Sequence, residues 1–322
     1  MHPHFPRRRF LALVATAPAW VGITTGCHTR RVPGSTHLSE ILDTHTHFYD
    51  PTRPQGVPWP PKEDALLYRR VMPANYLALP APRQVTGTVV VEASPWVEDN
   101  QWVLGLADRT PFIEGFVGNL PVGTAEFAGL LDRFARHPRF RGIRIRDRKL
   151  DGALEERVLI EDLRRLADRG LTLDLVGGIE ILGFAEGLTT RVPELRIVLD
   201  HLAGVRVDGG PPPSEWEQRM REVGRHARVY AKVSGLVEGT GRTDGTAPRE
   251  VGFYRPVLDV MWEAFGPQRL LYGSNWPVSE RFAPLATVQG IVQDYVRERG
   301  PEAEQAVLAQ TAREVYGLKR PS

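Results

Sequence analysis

Cysteine is almost absent from this chain: Cys27 is the single cysteine among 322 residues. A single cysteine cannot form an intramolecular disulfide, so the folded state must be stabilised by its hydrophobic core. The same scarcity excludes a thiol nucleophile and a zinc site built on thiolates.

An excess of charge of one sign is lacking as well. The chain has 41 lysines and arginines against 39 aspartates and glutamates, a formal net charge of +2. Three of the cations, Arg7, Arg8 and Arg9, lie in a segment that we expect to be removed, which brings the remainder close to neutral. This balance argues against nucleic acid or a strongly anionic surface as a partner.

Long hydrophobic runs are also lacking. The best candidate starts at Phe10 and is interrupted by Pro18 and Gly22, so it is too short for a membrane span. It directly follows Arg7-Arg8-Arg9-Phe10-Leu11, which resembles the twin-arginine export signal. Such signals export folded proteins, often with a cofactor already loaded. The alternative interpretation is a basic disordered terminus.

The same apolar run ends at Gly26-Cys27, as a lipoprotein cleavage site would. Thr24 stands where such sites favour Leu or Val, so lipidation of Cys27 is less firmly indicated than export. We therefore predict a signal segment over residues 1–27 and a polar tether over 28–40. The mature protein is expected in the periplasm, either free or anchored to the membrane through Cys27.

From residue 41 onward, short apolar runs alternate with amphipathic stretches. Several runs are apolar on both faces, as buried parallel strands are. Eight strands are predicted, over residues 41–47, 87–92, 112–120, 140–146, 171–176, 195–202, 229–235 and 269–275.

Helical spacing of apolar residues fills the intervals, for example in 127–134, 215–227, 257–265 and 288–296. Eight alternating strands and helices within residues 41–318 predict an α/β protein, a (β/α)8 TIM barrel. An open doubly wound sheet is the alternative. Two long connections, 48–84 and 238–256, follow strands and so belong to the carboxyl-terminal face, where active sites of barrels lie.

The first strand carries a column of polar groups. Asp43, His45 and His47 share one face because side chains alternate along a strand. A His-X-His pair at a strand end is half of a metal site, since neutral imidazoles suit zinc and similar ions. Buried, hydrogen-bonded histidines without a metal are the alternative.

Other strands also place polar side chains at their ends, and buried charges there are costly unless they are paired or ligating. Ion pairs between neighbouring strands are the alternative role for Arg144, Asp174 and Lys232. Three tryptophans follow strand ends and can either stack on a flat ligand or pack in the core. The polar group is Glu92, Arg144, Arg146, Asp174, His201, Lys232, Ser234 and Asn275, and the tryptophans are Trp59, Trp96 and Trp276.

Five short motifs stand in order at these strand ends. They are Leu42-Asp43-Thr44-His45-Thr46-His47, Val91-Glu92-Ala93, Arg141-Gly142-Ile143-Arg144, Asp200-His201-Leu202 and Gly273-Ser274-Asn275-Trp276-Pro277. With them the chain resembles the amidohydrolase-related family, in particular the metal-dependent TIM-barrel hydrolases similar to sugar-lactone and 2-pyrone-4,6-dicarboxylate lactonases. The resemblance spans about residues 41–318. It implies a distorted barrel and hydrolysis of a cyclic ester, with a carboxylated or sugar-derived lactone as substrate; some relatives decarboxylate acids.

The sequence departs from the two-metal pattern of the wider superfamily, which needs Lys or Glu after strand four, His after strand five and Asp after strand eight. Here strand four ends in arginine, strand five offers Asp174, and strand eight has Asn275. The resemblance then implies at most one divalent ion, zinc or manganese. Its ligands would come from His45, His47, Glu92 and His201, and a metal-free site is the alternative.

Asn275 also changes the expected mechanism, because an amide cannot take a proton from the attacking water. We expect His201 or Glu92 to activate water while Asn275 orients water or substrate. Arg144, Arg146 and Lys232 are expected to bind a substrate carboxylate or the oxyanion.

The substrate itself is expected to contact Trp59, Trp96, Trp276 and Asp174. Two alternatives to a lactonase stay open, namely a non-oxidative decarboxylase and a catalytically weak protein that binds sugar acids.

Overall fold

The computed structural model describes residues 40–146 and 152–319. The predicted signal segment and nearly all of the predicted tether lie outside these residues. No helix of the described part is both long and apolar enough to cross a membrane.

Eight parallel strands form one sheet in which each strand pairs with the next along the chain. The sheet closes into a barrel where β8 returns to β1: the backbone N–H of His47 donates to the carbonyl of Trp276 at 2.9 Å. Each predicted strand contains one observed strand, so the (β/α)8 barrel is confirmed. The strands are β1 Leu42–Thr46, β2 Gly87–Val91, β3 Ile113–Gly118, β4 Phe140–Arg146, β5 Thr172–Val176, β6 Arg196–Leu199, β7 Val229–Val233 and β8 Leu270–Tyr272.

Helices lie between the strands and cover the outside of the barrel. They are α1 Pro73–Leu77, α2 Asp99–Asp108, α3 Phe127–Phe134, α4 Arg157–Asp168, α5 Glu180–Arg191, α6 Ser214–Val223, α7 Val251–Phe265, α8 Leu285–Arg297, α9 Pro301–Gln305 and α10 Thr311–Val315. Their apolar faces pack on the strands; in α4, for example, Leu159, Leu163 and Leu166 are buried.

One predicted boundary is wrong. Helix α7 begins at Val251, whereas the sequence suggested a loop as far as Pro256. Proline lacks an N–H, so it leaves the carbonyl four residues earlier without its helical donor. That residue is Gly252, which is exposed, and water can satisfy its carbonyl.

The amino-terminal end of the barrel is closed by the last helical segment. Ala309, Ala312 and Val315 pack with apolar residues of the barrel interior. Arg313 is buried there and forms ion pairs with Glu40 and Glu114. Closure of this end leaves the carboxyl ends of the strands as the face where polar groups converge.

Candidate active site

A cavity of about 690 Å³ opens at the carboxyl ends of the strands. Its wall has a polar part and an apolar part, as small-molecule sites usually do. The polar part contains His47, Glu92, Asn119, Arg144, Arg146, Glu156, His201 and Asn275, and the larger apolar side chains are Trp59, Leu120, Val122, Ile145, Leu159, Val176 and Val278.

The backbone is strained at two places in this wall. His201, Leu202 and Ala203 have φ values of 51°, 55° and 48°, and Asn275 has 57°. Left-handed conformations of non-glycine residues cost of the order of 1–3 kcal/mol each and cluster at functional sites. Gly235 permits the first bend, because a Cβ there would lie 2.7 Å from that of His201.

His201 is held by Ser234 of the turn after β7. Ser234 Oγ accepts a hydrogen bond from the backbone N–H of His201 at 3.2 Å and lies 2.9 Å from its Nδ1. Burial lowers the pKa of His201 to about 4, with nearby Arg144 contributing in the same direction. The imidazole in the cavity wall is therefore neutral near neutral pH.

Glu92 is bound by two arginines through one carboxylate oxygen, Oε1. Arg144 donates from Nε to Glu92 Oε1 at 2.9 Å and from Nη2 to the Glu92 carbonyl at 2.6 Å. Arg146 donates to the same Oε1 at 3.3 Å. Glu92 is thus placed to orient the two guanidinium groups, and it lies outside the group of described residues that could hold a metal ion.

Lys232 and Asp174 are brought together below the cavity rather than in its wall. Both side chains are fully buried, and Lys232 Nζ lies 2.6 Å from Asp174 Oδ2 and 3.0 Å from Asp200 Oδ1. Tyr316 donates a further hydrogen bond to Asp174 at 2.8 Å. The predicted contacts of Lys232 and Asp174 with substrate do not agree with this placement, which matches the alternative of an ion pair between strands.

Asp200 is a functional candidate that sequence reasoning quoted only within a motif. His45, Asp200 and His201 each place one ligand atom within 4.8 Å of the others. Both carboxylate oxygens of Asp200 are buried without a hydrogen-bond partner in the described residues, although Lys232 is at ion-pair distance. Burial acts to raise the pKa of Asp200, but the Lys232 charge outweighs it and holds the pKa well below the usual range. The carboxylate is ionised and can ligate.

The donor set fits one divalent ion. Burial lowers the pKa of His45 well below its usual value, so its ring is neutral as ligation requires. An ion would share Asp200 with the ammonium of Lys232, and Arg144 Nη1 already lies 3.4 Å from His45 Nε2. Of the predicted ligands, the structure groups His45 and His201 and leaves His47 and Glu92 outside.

His47 takes part in a different chain of hydrogen bonds. Its Nδ1 lies 2.9 Å from the carbonyl of Val91, and its Nε2 lies 3.2 Å from the Asn275 side-chain amide. The other end of that amide lies 2.9 Å from Glu238 Oε1. Burial lowers the pKa of His47 to about 3 and raises that of Glu238 to about 7. Sequence reasoning missed Glu238, although a carboxylate close after the end of β7 was a usable signal.

The three tryptophans have different surroundings. Trp59 lines the cavity, with its ring centroid 6.0 Å from that of His47. Trp276 is fully buried and packs edge-on against Tyr76, so its predicted substrate contact is replaced by a core contact. Trp96 is 41% exposed and does not contribute to the described wall of the cavity.

Comparison with known proteins identifies the family that has this architecture. The amidohydrolase family model matches residues 42–318, which is essentially the whole barrel. The chain therefore belongs to the amidohydrolase family.

Individual relatives cover almost the same region. An L-fucono-1,5-lactonase of Burkholderia ambifaria is 31% identical over 287 residues, covering 87% of this chain and 97% of that protein. An amidohydrolase of Burkholderia multivorans, solved with bound zinc, superposes with a TM-score of 0.75 at 22% identity, covering 87% of this chain and all of that one. A Pseudomonas putida structure, described as a candidate 2-pyrone-4,6-dicarboxylic acid hydrolase, gives 0.70 at 21% identity, covering 88% and 99%. The two structures support the barrel fold.

Proposed function

We infer that this protein is a hydrolase that opens a cyclic ester, namely the 1,5-lactone of a sugar acid. The observation that carries this conclusion is a cavity wall that combines a neutral imidazole, His201, with the guanidinium groups of Arg144 and Arg146. The L-fucono-1,5-lactonase relative, similar along nearly its whole length, supports the substrate class.

The cavity wall offers a position for each part of such a substrate. Trp59 supplies an aromatic face on which a sugar ring can stack. Arg144, held by Glu92, supplies N–H donors to the carbonyl oxygen, which becomes an oxyanion during attack. Arg146 is half-exposed at the same wall and can bind further oxygens of the acid.

His201 is placed to move the proton. With Nδ1–H donated to Ser234, its Nε2 is free to accept a proton from water as the water oxygen bonds to the lactone carbonyl carbon. Collapse of the tetrahedral intermediate breaks the bond to the ring oxygen, and His201 returns the proton to that oxygen. The hydroxy acid formed then ionises at neutral pH.

A divalent ion, zinc or manganese, would be held by His45, Asp200 and His201. Such an ion would supply Lewis acidity to the carbonyl oxygen. His201 can act either as a ligand or as a base, so metal content decides which role it has. The chemistry assigned to Arg144, Arg146 and Trp59 is the same in both cases.

The decisive experiment is a panel of sugar-acid 1,5-lactones, including L-fucono-1,5-lactone, with acid release measured with and without a chelator. Metal is quantified on protein purified without added metal, and the spontaneous rate is subtracted. We expect at least one lactone to be opened, and the rate to fall about 10²–10⁴-fold in His201→Ala. Unchanged rates in His201→Ala would remove the base assignment. Release of CO₂, or binding without turnover, would replace the lactonase by a decarboxylase or a binding protein.

We also propose that the chain is exported through a twin-arginine signal and lipidated at Cys27. The support is the order Arg7-Arg8-Arg9-Phe10-Leu11 followed by an apolar run and Gly26-Cys27. Replacing Arg7 and Arg8 by lysine should leave the protein in the cytoplasm. Cys27→Ser should release it from the membrane fraction, and an unchanged distribution of either variant contradicts the corresponding step.

A further inference from the structure

Glu238 carries a buried carboxyl group that no cation neutralises in the described part of the chain. Its Oε2 is inaccessible and has no hydrogen-bond partner among the described residues. Its Oε1 lies 2.9 Å from the side-chain amide of Asn275, and the backbone N–H of Glu238 itself also acts on the carboxyl group. The titratable group that faces it from α7 is Tyr254, whose hydroxyl donates to the Pro248 carbonyl at 2.7 Å. An isolated buried carboxyl is stable as the neutral acid.

The other end of the Asn275 side-chain amide faces Nε2 of His47. The partner of the second ring nitrogen, Nδ1, determines which nitrogen carries the hydrogen. The Val91 carbonyl can only accept, so Nδ1 of His47 carries the hydrogen. The neutral ring then has a bare Nε2, which requires a donor.

These two ends determine the orientation of the amide. With Oδ1 of Asn275 against Nε2, two acceptors would meet at 3.2 Å. The oxygen and nitrogen of an amide exchange places by a 180° turn without a change of shape, and the hydrogen-bond network decides between them. With Nδ2 toward His47, Oδ1 lies toward Glu238 and needs a donor there. A protonated Glu238 is that donor.

We propose that Glu238 is a positioning residue, which donates its carboxyl proton to Asn275 Oδ1 and so turns the amide N–H groups toward His47 and the cavity. This positioning role rests on the proposed function, the hydrolysis of a lactone in this cavity. Each hydrogen bond then has one donor and one acceptor, from Glu238 through Asn275 and His47 to the Val91 carbonyl. Asn275 forms part of the cavity wall, so its second N–H can be donated to substrate or water.

The arrangement gives a reason for an amide at position 275. A carboxylate there would stand about 3 Å from that of Glu238, and two carboxylates so close cannot both ionise. An amide accepts the Glu238 proton and donates to His47. Once Glu238 ionises, its oxygen attracts the amide N–H groups, and the donor toward the cavity is lost.

The test compares wild type, Glu238→Gln and Glu238→Ala, with exposed Glu186→Gln as the matched control. Wild-type kcat/KM should fall about tenfold per pH unit above pH about 7, where the Glu238 carboxyl ionises. Glutamine carries a permanent N–H donor, so Glu238→Gln should lack this fall and recover activity relative to Glu238→Ala. Glu238→Ala should be reduced about tenfold relative to wild type below pH about 7 and should show no further fall above it. The same alkaline fall in Glu238→Gln, or a loss there equal to that of alanine, would overturn the proposal.

An infrared measurement separates this proposal from the proposed function. The wild-type minus Glu238→Gln difference spectrum should contain the carbonyl band of a protonated acid, which disappears as pH rises through about 7. If lactones are opened but the band is absent at pH 6, the proton assignment fails while the function stands. If the band titrates but the lactones are not opened, the hydrolase assignment fails, and with it the catalytic part of the proposal.

Discussion

Two groups of polar residues, one below the cavity and one that reaches its wall, differ in how their charges are neutralised. In the cationic cluster, Lys232 stands between Asp174 and Asp200 at 2.6 and 3.0 Å. In the amide chain, Glu238 and His47 meet the two ends of Asn275 and no cation pairs with the carboxyl in the described residues. In the first group the fixed charge of Lys232 offsets the carboxylates, whereas in the second a proton neutralises the carboxyl group. Since that proton can leave as pH rises, the second group should respond more strongly to pH near neutrality.

The largest expected effect is a loss of stability when the lysine of the cationic cluster is removed. Lys232→Met leaves Asp174 and Asp200 buried together, with Arg144 Nη1, 4.0 Å from Asp200 Oδ2, as a remaining cation. Loss of one partner of a buried ion pair costs about 3–5 kcal/mol of the free energy of unfolding. Denaturant unfolding measures the loss, with exposed Lys62→Met as the control. A change below about 1 kcal/mol would mean that the carboxyls are neutral without Lys232.

The next effect concerns Arg144, which lies beside the cationic cluster, with its Nη1 4.0 Å from Asp200 Oδ2. Its Nη1 lies 3.4 Å from His45 and its Nε binds Glu92, while the residue lines the cavity. Arg144→Met should lower kcat/KM for the lactone about 10²–10³-fold, because a donor to the oxyanion is removed. Steady-state kinetics test this. A loss confined to KM would show that Arg144 binds substrate without stabilising the transition state.

A smaller effect concerns the amide chain, through which the free energy of unfolding should depend on pH. The pKa of Glu238 is raised from 4.5 to about 7 on folding, so its protonation stabilises the protein at low pH. That contribution is lost as pH rises from about 4.5 through about 7. Relative to Glu238→Gln, wild type should therefore lose about 2–3 kcal/mol of unfolding free energy over this window. Urea titrations at several pH values measure it, and a constant difference between the two proteins would contradict the raised pKa.

The smallest effect concerns the aromatic part of the cavity wall, where the ring of Trp59 lies beside that of His47. Trp59→Ala removes an aromatic face and should raise KM about 5–10-fold, equivalent to roughly 1 kcal/mol, with kcat nearly unchanged. Trp96→Ala is the matched control, since that ring is exposed and outside the described wall. Equal effects of the two changes would mean that stacking on Trp59 is not part of binding.

Several of the eight strands could be predicted because buried parallel strands tend to be apolar on both faces. Strand β2, Gly87–Val91, is an example, since all five residues are buried. The start of α7 was predicted wrongly, because proline usually breaks a helix. Pro256 is tolerated inside α7 because the carbonyl that it leaves without a donor belongs to Gly252, which is exposed to solvent.

A position at the end of a strand predicted some of the site residues correctly and others wrongly. His201, Arg144 and Asn275 were expected at the mouth and do line the cavity. Lys232 and Trp276 were expected there too, yet both are fully buried. Position along a strand does not show whether a side chain faces the cavity or a neighbour one layer below.

The sequence alone determined the barrel, the face on which polar groups gather and the absence of thiol chemistry, because periodicity and composition are local properties. Tertiary structure alone decided how each charge is neutralised. It places Lys232 between two carboxylates contributed by β5 and the end of β6, and it places Glu238, from a turn after β7, against an amide that follows β8. Neutralisation depends on distances between residues far apart in the chain, and these distances exist only once the barrel has closed.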